Sequence, residues 1–138
     1  MGRILAIDFG KKRTGLAVTD PLKILATPLL ALDTQNLYDY LKEYIAKEDV
    51  ETLVIGLPLH EDGTATDATA AVDHCRRRLR NLFPSMPIHV WDESYTSKHA
   101  SQEMIAMGMK KKERLKKENT DLIAATLLLQ DYLAKHQQ

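Results

Sequence analysis

Carboxylates that follow apolar stretches are the residues of this chain with the clearest chemical potential. Asp8 comes directly after the apolar run of residues 4–7. A carboxylate at the end of a buried strand is costly unless a cation meets it, either a metal ion or a basic side chain. Basic residues and glycines surround this position, namely Gly10, Lys11, Lys12, Arg13 and Gly15. Because glycine allows a phosphate or a nucleic-acid backbone to approach the main chain, we expect a metal and phosphate site here.

Acidic residues also occur at two other places where predicted elements end or begin. Asp92 and Glu93 follow the apolar run 88–91, and Asp121 falls in the first turn of a helix predicted over residues 120–136. Three carboxylates that converge on one point cannot all remain ionised without a cation, and oxygen ligands suit Mg²⁺ or Mn²⁺. Such ions position water and stabilise the leaving oxygen of a phosphodiester. The alternatives are that Asp121 complements the helix dipole and that Asp92 and Glu93 are turn residues.

The elements that must position these acids follow the predicted order β-β-β-α-β-α-β-α-α. Short apolar runs predict strands at residues 4–7, 15–18, 27–32, 52–57 and 88–91. Helical spacing and cap signals predict helices at 36–47, from 66 to about 83, from 97 to about 107 and at 120–136, with a loop over 59–69. A three-strand antiparallel meander followed by alternating strands and helices implies one α/β domain over residues 1–138. Its mixed five-stranded sheet carries helices on both faces.

Composition limits the classes of function. The 138 residues include 19 basic and 19 acidic side chains, so nucleic-acid contact must come from local patches. The candidate contacts are Lys11, Lys12, Arg13, Lys110, Lys111 and Lys112. The last three belong to a basic run that could also be a solvated loop. One cysteine excludes an intrachain disulfide. With no signal pattern and no apolar run near the roughly 18 residues of a membrane helix, we expect a cytoplasmic protein without membrane attachment.

Four stretches of the sequence resemble the motifs of one known family. They are Asp8-Phe9-Gly10 with residues 13–18, residues 54–59 with Asp62-Gly63-Thr64, residues 92–97, and residues 119–121 with Ala124, Ala125 and residues 127–129. In this order, and over nearly the whole chain, they are similar to the YqgF family, also called RuvX. The family consists of small bacterial proteins of the RNase H-like superfamily.

The resemblance implies an RNase H-like fold and a metal-dependent nuclease that uses Mg²⁺ or Mn²⁺. Members of the family are associated with trimming of the 5′ end of precursor 16S ribosomal RNA, and older usage calls them Holliday junction resolvases. Carried over by motif, the catalytic and metal-binding acids are Asp8, Glu93 and Asp121. Precursor rRNA or branched DNA is the implied partner, and we expect a monomer or weak homodimer. One departure is Ser94, where the family usually has arginine, which removes one phosphate contact.

Two other functions remain open from the residues. An Asp-x-Gly hairpin is also the first element of sugar kinases and actin-like ATPases, where it contacts ATP phosphates. A chain of 138 residues has no room for the second lobe that those enzymes need. The chain could also be a non-catalytic nucleic-acid-binding or ribosome-assembly factor, against which the three acids argue. ATP turnover would favour the first alternative, and RNA binding without cleavage in Mn²⁺ would favour the second.

Overall fold

Five strands form one mixed sheet in the order β3-β2-β1-β4-β5. The computed structural model describes residues 2–58, 69–93 and 117–136. Its strands are β1 (Arg3–Asp8), β2 (Arg13–Thr19), β3 (Ala26–Asp33), β4 (Val50–Pro58) and β5 (Ile88–Glu93). Its helices are α1 (Leu37–Lys47), α2 (Thr69–Leu82) and α3 (Lys117–His136), and a 3₁₀ turn at Thr34–Asn36 precedes α1.

The pairing of the strands brings several chain ends to one edge of the sheet. β1, β2 and β3 form an antiparallel meander, whereas β4 pairs in parallel with β1 and with β5. The carboxyl ends of β1, β4 and β5 therefore lie at the same edge as the beginning of β2. We call this the acidic edge, defined by Asp8, Arg13, Pro58 and Glu93. The predicted three-strand meander with parallel additions is confirmed.

Helices cover both faces of the sheet, as predicted. Alternate residues of β1 point to opposite faces, so Leu5 and Ile7 belong to one hydrophobic cluster and Ile4 and Ala6 to another. The first cluster includes apolar side chains of α1 and α2, namely Leu37, Tyr38, Leu41, Val72, Cys75 and Leu79. The second includes those of α3, namely Ala125, Leu128, Leu129 and Tyr132. The second face is the one that matters for the acids, because α3 carries Asp121.

The starts of β2 and α3 differ from the predicted ones, and each difference moves a candidate residue, whereas the end of β5 is as predicted. Arg13 is the first residue of β2 and not part of the turn, because it pairs with Asp33 of β3. β5 ends at Glu93, which confirms that Asp92 and Glu93 end the last strand, and its parallel pairing with β4 extends to that residue. α3 begins at Lys117, so Asp121 is its fifth residue and lies beyond the first turn. Lysine and glutamate are good helix formers, which explains the longer helix.

Two predicted segments lie outside the described residues. These are the helix from 97 to about 107 and nearly all of the loop 59–69, of which Thr69 is the first residue of α2. The predicted start of the second helix at 66 also falls there, and the helix ends at Leu82, one residue before the predicted end. The predicted helix 36–47 is confirmed within one residue as α1.

Candidate functional site

Asp8 and Asp121 are both neighbours of Gly15 at the acidic edge. Asp8 is the last residue of β1 and lies opposite Gly15 in the antiparallel ladder with β2. Gly15 is buried, and a Cβ placed there would lie 2.7 Å from the carbonyl carbon of Asp121 and closer still to its carbonyl oxygen. Since residues opposite each other share a face of the sheet, Asp8 lies on the face that α3 covers. The missing side chain of Gly15 lets the backbone of α3 at Asp121 pack against β2 at the residue that pairs with Asp8.

A guanidinium lies beside the Asp121 carboxylate. Nε of Arg13 is 3.6 Å from Oδ2 of Asp121, and the two side chains are 29% and 18% exposed. Arg13 and Gly15 are two residues apart in β2 and therefore share a face. The site thus has two acidic residues and one basic residue on the same face of the sheet. Water screens a partly buried pair less than it screens a surface pair.

The basic turn between β1 and β2 is held in place by Thr34, the residue that directly follows β3. The hydroxyl of Thr34 donates a hydrogen bond of 2.6 Å to the carbonyl of Gly10, and its N–H donates one of 2.9 Å to the carbonyl of Lys12. Because that hydroxyl proton is used, Thr14 is the donor in the 2.9 Å contact between the two threonine hydroxyls. A Cβ at Gly10 would collide with the carbonyl oxygen of Arg13. These contacts present Lys11 and Lys12 to solvent on a fixed turn.

Glu93 reaches the same edge along β5. It lies opposite Pro58 of β4 and two strands from β1, a lateral distance of roughly 10 Å from the end of β1. Its side chain is outside the described part of the structure. The structure therefore places Asp8 and Asp121 on either side of Gly15 and gives only the backbone position of Glu93. Glu93 is an even number of residues from His89 and Trp91 along β5, and the side chains of those two residues contact α3.

Two hydrogen bonds tie β5 to α3. The indole of Trp91 donates to Oδ2 of Asp131 at 2.9 Å, and His89 Nδ1 lies 2.7 Å from the hydroxyl of Tyr132. Burial would raise the pKa of Asp131, but hydrogen bonds from Lys135 and Trp91 outweigh it, so this pKa lies below its usual value. The two elements that carry Glu93 and Asp121 are thus joined by polar contacts.

The chemistry of this edge is that of carboxylate oxygens beside basic groups. Among the residues whose side chains the structure describes, no three His, Cys, Asp or Glu residues are grouped closely enough to hold a metal ion. Glu93 is not among those residues. Carboxylate oxygens are the ligands that Mg²⁺ and Mn²⁺ prefer, so the chemistry of Asp8 and Asp121 fits such an ion.

A family model described as "RuvX: Holliday junction resolvase" matches residues 2–135. This protein belongs to the RuvX family. A Flavobacterium johnsoniae protein is 44% identical over 134 residues, covering 97% of each chain, and a Bacteroides thetaiotaomicron protein is 41% identical over 133 residues, covering 96% of each. Both carry the name "Putative pre-16S rRNA nuclease". The predicted family is therefore confirmed.

Solved structures confirm the RNase H-like fold of this RuvX chain. Thermus thermophilus RuvC, solved in complex with a Holliday junction substrate, superposes with a TM-score of 0.57 at 14% identity, covering 99% of this chain and 96% of that one. Fowlpox virus resolvase, solved with Holliday junction DNA, gives 0.56 at 10% identity, covering 99% of both. In the described part of the RuvX chain, no helix is long and apolar enough to cross a membrane.

Several residues of this candidate site in the RuvX chain have roles that no local pattern in the sequence indicates. The sequence pattern around Gly15 indicated phosphate approach, whereas the structure uses this glycine for the close approach of α3. Thr34, which anchors the basic turn, carries no local signal, since a threonine after a strand is ordinary. Asp131, which Trp91 binds, looks like an exposed helix position in the sequence. Lys110, Lys111, Lys112 and Ser94 lie outside the described residues.

Proposed function

We propose that this protein is a metal-dependent nuclease that hydrolyses phosphodiester bonds during processing of the 5′ end of precursor 16S rRNA. The observation that carries the proposal is the contact of Asp121 with Gly15, directly opposite Asp8. The names of relatives that match nearly the whole chain support the choice of RNA. We place the protein in the cytoplasm, as a monomer or weak homodimer.

Asp8, Glu93 and Asp121 are proposed to hold one or more Mg²⁺ or Mn²⁺ ions. When bound, such an ion activates water and stabilises charge on the leaving oxygen. Asp8 and Asp121 contribute negative charge from two elements that pack directly together, so their relative position is set before metal or substrate arrives. Lys11 and Lys12 on the adjacent turn, and Arg13 at the start of β2, are proposed to hold phosphates.

The function is tested by incubating the purified protein with 5′-extended 16S precursor RNA and with a four-way DNA junction, in Mn²⁺ and in EDTA. We expect Mn²⁺-dependent cleavage of the RNA within the extension. Mature 16S RNA is the matched control. Preferential cleavage of the junction would move the assignment to the resolvase activity named by the family description, and RNA binding without cleavage in Mn²⁺ would show a non-catalytic factor.

Asp92 and Glu93 are adjacent residues of β5, so their positions in the strand correspond to opposite faces of the sheet. Position 93 shares the parity of His89 and Trp91, which contact α3, whereas position 92 shares that of Ile88, which packs on the α1 and α2 side. We therefore expect Glu93→Gln to lower the cleavage rate by about a hundredfold or more, because a lost ligand carboxylate removes several kcal/mol of charge stabilisation.

The neighbouring substitution Asp92→Asn is the control, with an expected loss below about tenfold, since an interaction outside the reacting centre is worth roughly 1 kcal/mol. Single-turnover rates at saturating protein compare the two variants. A greater loss for Asp92→Asn would show that the assignment within the pair is reversed.

The basic run of residues 110–117 is proposed to contribute affinity and not chemistry. Changing Lys110, Lys111 and Lys112 to alanine should weaken RNA binding and lower the slope of log affinity against log salt by about two, because each lost phosphate contact accounts for about 0.7 on a single strand. The single-turnover rate at saturating protein should stay unchanged. Filter binding at several salt concentrations measures both quantities.

A control variant loses the same charge elsewhere. Lys42, Lys47 and Arg80 are exposed on α1 and α2, the helices on the opposite face of the sheet from α3. Their triple alanine variant should keep nearly the parent salt slope. If both triple variants bind RNA alike, the run 110–117 is a solvated segment without a role in binding.

A further inference from the structure

Arg13 supplies positive charge to a carboxylate that the proposed function assigns to a metal ion. Its Nε lies 3.6 Å from Oδ2 of Asp121. A partly buried carboxylate is stabilised by a nearby cation, and the Asp121 side chain is only 18% exposed. The guanidinium and a divalent ion would therefore compete for the carboxylate oxygens of Asp121.

The backbones of the two residues are fixed, whereas the arginine side chain is long. Arg13 begins β2 in register with Asp33 of β3, and two residues later Gly15 packs against the carbonyl of Asp121. The distance between the start of β2 and this turn of α3 is thus set by packing. The arginine side chain has four rotatable bonds and is 29% exposed. The guanidinium can leave Asp121 without any movement of the sheet or the helix.

A phosphate is the natural second partner of this guanidinium. Lys11 and Lys12 precede it on the turn that Thr34 anchors, and both are exposed. The planar fork of arginine matches phosphate oxygens and can bind two at once. When a metal ion at Asp121 repels the guanidinium of Arg13, the guanidinium would therefore bind a phosphate of the nucleic acid that lies at this turn.

We propose that Arg13 exchanges its partner: it pairs with Asp121 when no metal is bound and turns to a phosphate of the substrate when a divalent ion occupies that carboxylate. This inference rests on the proposed function, since it requires a metal at Asp121. The exchange makes metal and nucleic acid assist each other's binding, because each favours the same position of the guanidinium.

The exchange is tested by thermal melting during Mn²⁺ titration without nucleic acid. Arg13→Gln removes the competing charge, so the half-saturating Mn²⁺ concentration should fall roughly fivefold, the factor that corresponds to the upper range of an ordinary ion pair. Arg13→Lys keeps a cation and should stay near the parent value. Lys12→Gln loses the same charge from the same turn and should also stay within about twofold of the parent, since exposed charges are screened.

The second half of the exchange is tested by cleavage. The single-turnover rate of Arg13→Gln in saturating Mn²⁺ should fall by at least about tenfold, because the lost guanidinium would have held a phosphate. Tighter Mn²⁺ binding with slower cleavage is the expected combination. Tighter Mn²⁺ binding by Arg13→Gln with an unchanged cleavage rate would show that Arg13 does not bind a phosphate of the substrate.

Two other results overturn the exchange and are distinguishable from each other. An unchanged or higher half-saturating Mn²⁺ concentration in Arg13→Gln, with a normal response in the parent, shows that Arg13 does not compete with the metal, and the nuclease proposal survives. A parent that does not respond to Mn²⁺ overturns both proposals. Arg13→Met, which keeps the aliphatic stem, repeats the measurement under the same criteria if the glutamine variant does not fold.

Discussion

Asp8→Asn should abolish cleavage while leaving the protein folded. Asparagine has the size of aspartate but no negative charge, so the change removes the carboxylate that we propose as a metal ligand at the end of β1, with little effect on packing. We expect the single-turnover rate in Mn²⁺ to fall by about a thousandfold or more, because a divalent ion that Asp8 would hold would supply several kcal/mol of transition-state stabilisation. The thermal midpoint should shift by a few degrees at most, as expected for a half-buried position near the sheet edge.

Asp20→Asn is the matched control, because it makes the same chemical change at the opposite edge of the sheet. The Asp20 carboxylate accepts backbone hydrogen bonds from Leu22, Ile24 and Leu25 in the connection between β2 and β3. These bonds, the one from Leu25 foremost, hold the pKa of Asp20 below its usual value. The control should melt at a lower temperature and cleave at the parent rate. A folded Asp8→Asn variant that cleaves as fast as the parent would show that Asp8 is not a metal ligand needed for cleavage.

Gly15→Ala should have the second largest effect, and it acts through backbone contact. The added Cβ would lie 2.7 Å from the carbonyl carbon of Asp121 and 3.2 Å from its Cβ. A backbone neighbour cannot rotate away as a flexible side chain can, so the first turns of α3 must move. We expect overpacking to cost about 1–3 kcal/mol of unfolding free energy. Displacement of Asp121 by about 1 Å should lower the cleavage rate by about a hundredfold.

The measurement must separate displacement of Asp121 from simple loss of stability. Leu79→Ala provides the control, because Leu79 lies on α2 and is fully buried in the cluster on the opposite face of the sheet. Its truncation should cost about 2–5 kcal/mol and so destabilise at least as much as Gly15→Ala. Assayed well below both melting temperatures, Leu79→Ala should cleave at nearly the parent rate. Equal loss of activity in the two variants would show that Gly15 matters for stability and not for the position of Asp121.

The sequence by itself determined the order of the strands and helices in the described part of the chain. Apolar runs and helical stripes predict five strands and the helices now called α1, α2 and α3, because burial of one face imposes a period that is visible locally. The position of Asp8 at the end of an apolar run also predicts a carboxylate at a strand end, and the structure places it there. The motifs around the acids indicated the RuvX family, which the family model confirms.

Tertiary structure decided what those residues touch. The contact between Gly15 and Asp121 joins positions more than a hundred residues apart, and no local period encodes it. The same holds for the proximity of Arg13 to Asp121 and for the bond between Trp91 and Asp131, which depend on where α3 lies on the sheet. Periodicity reports which face of an element is buried. The partner on that face is selected by strand order, register and the close approach that one glycine permits.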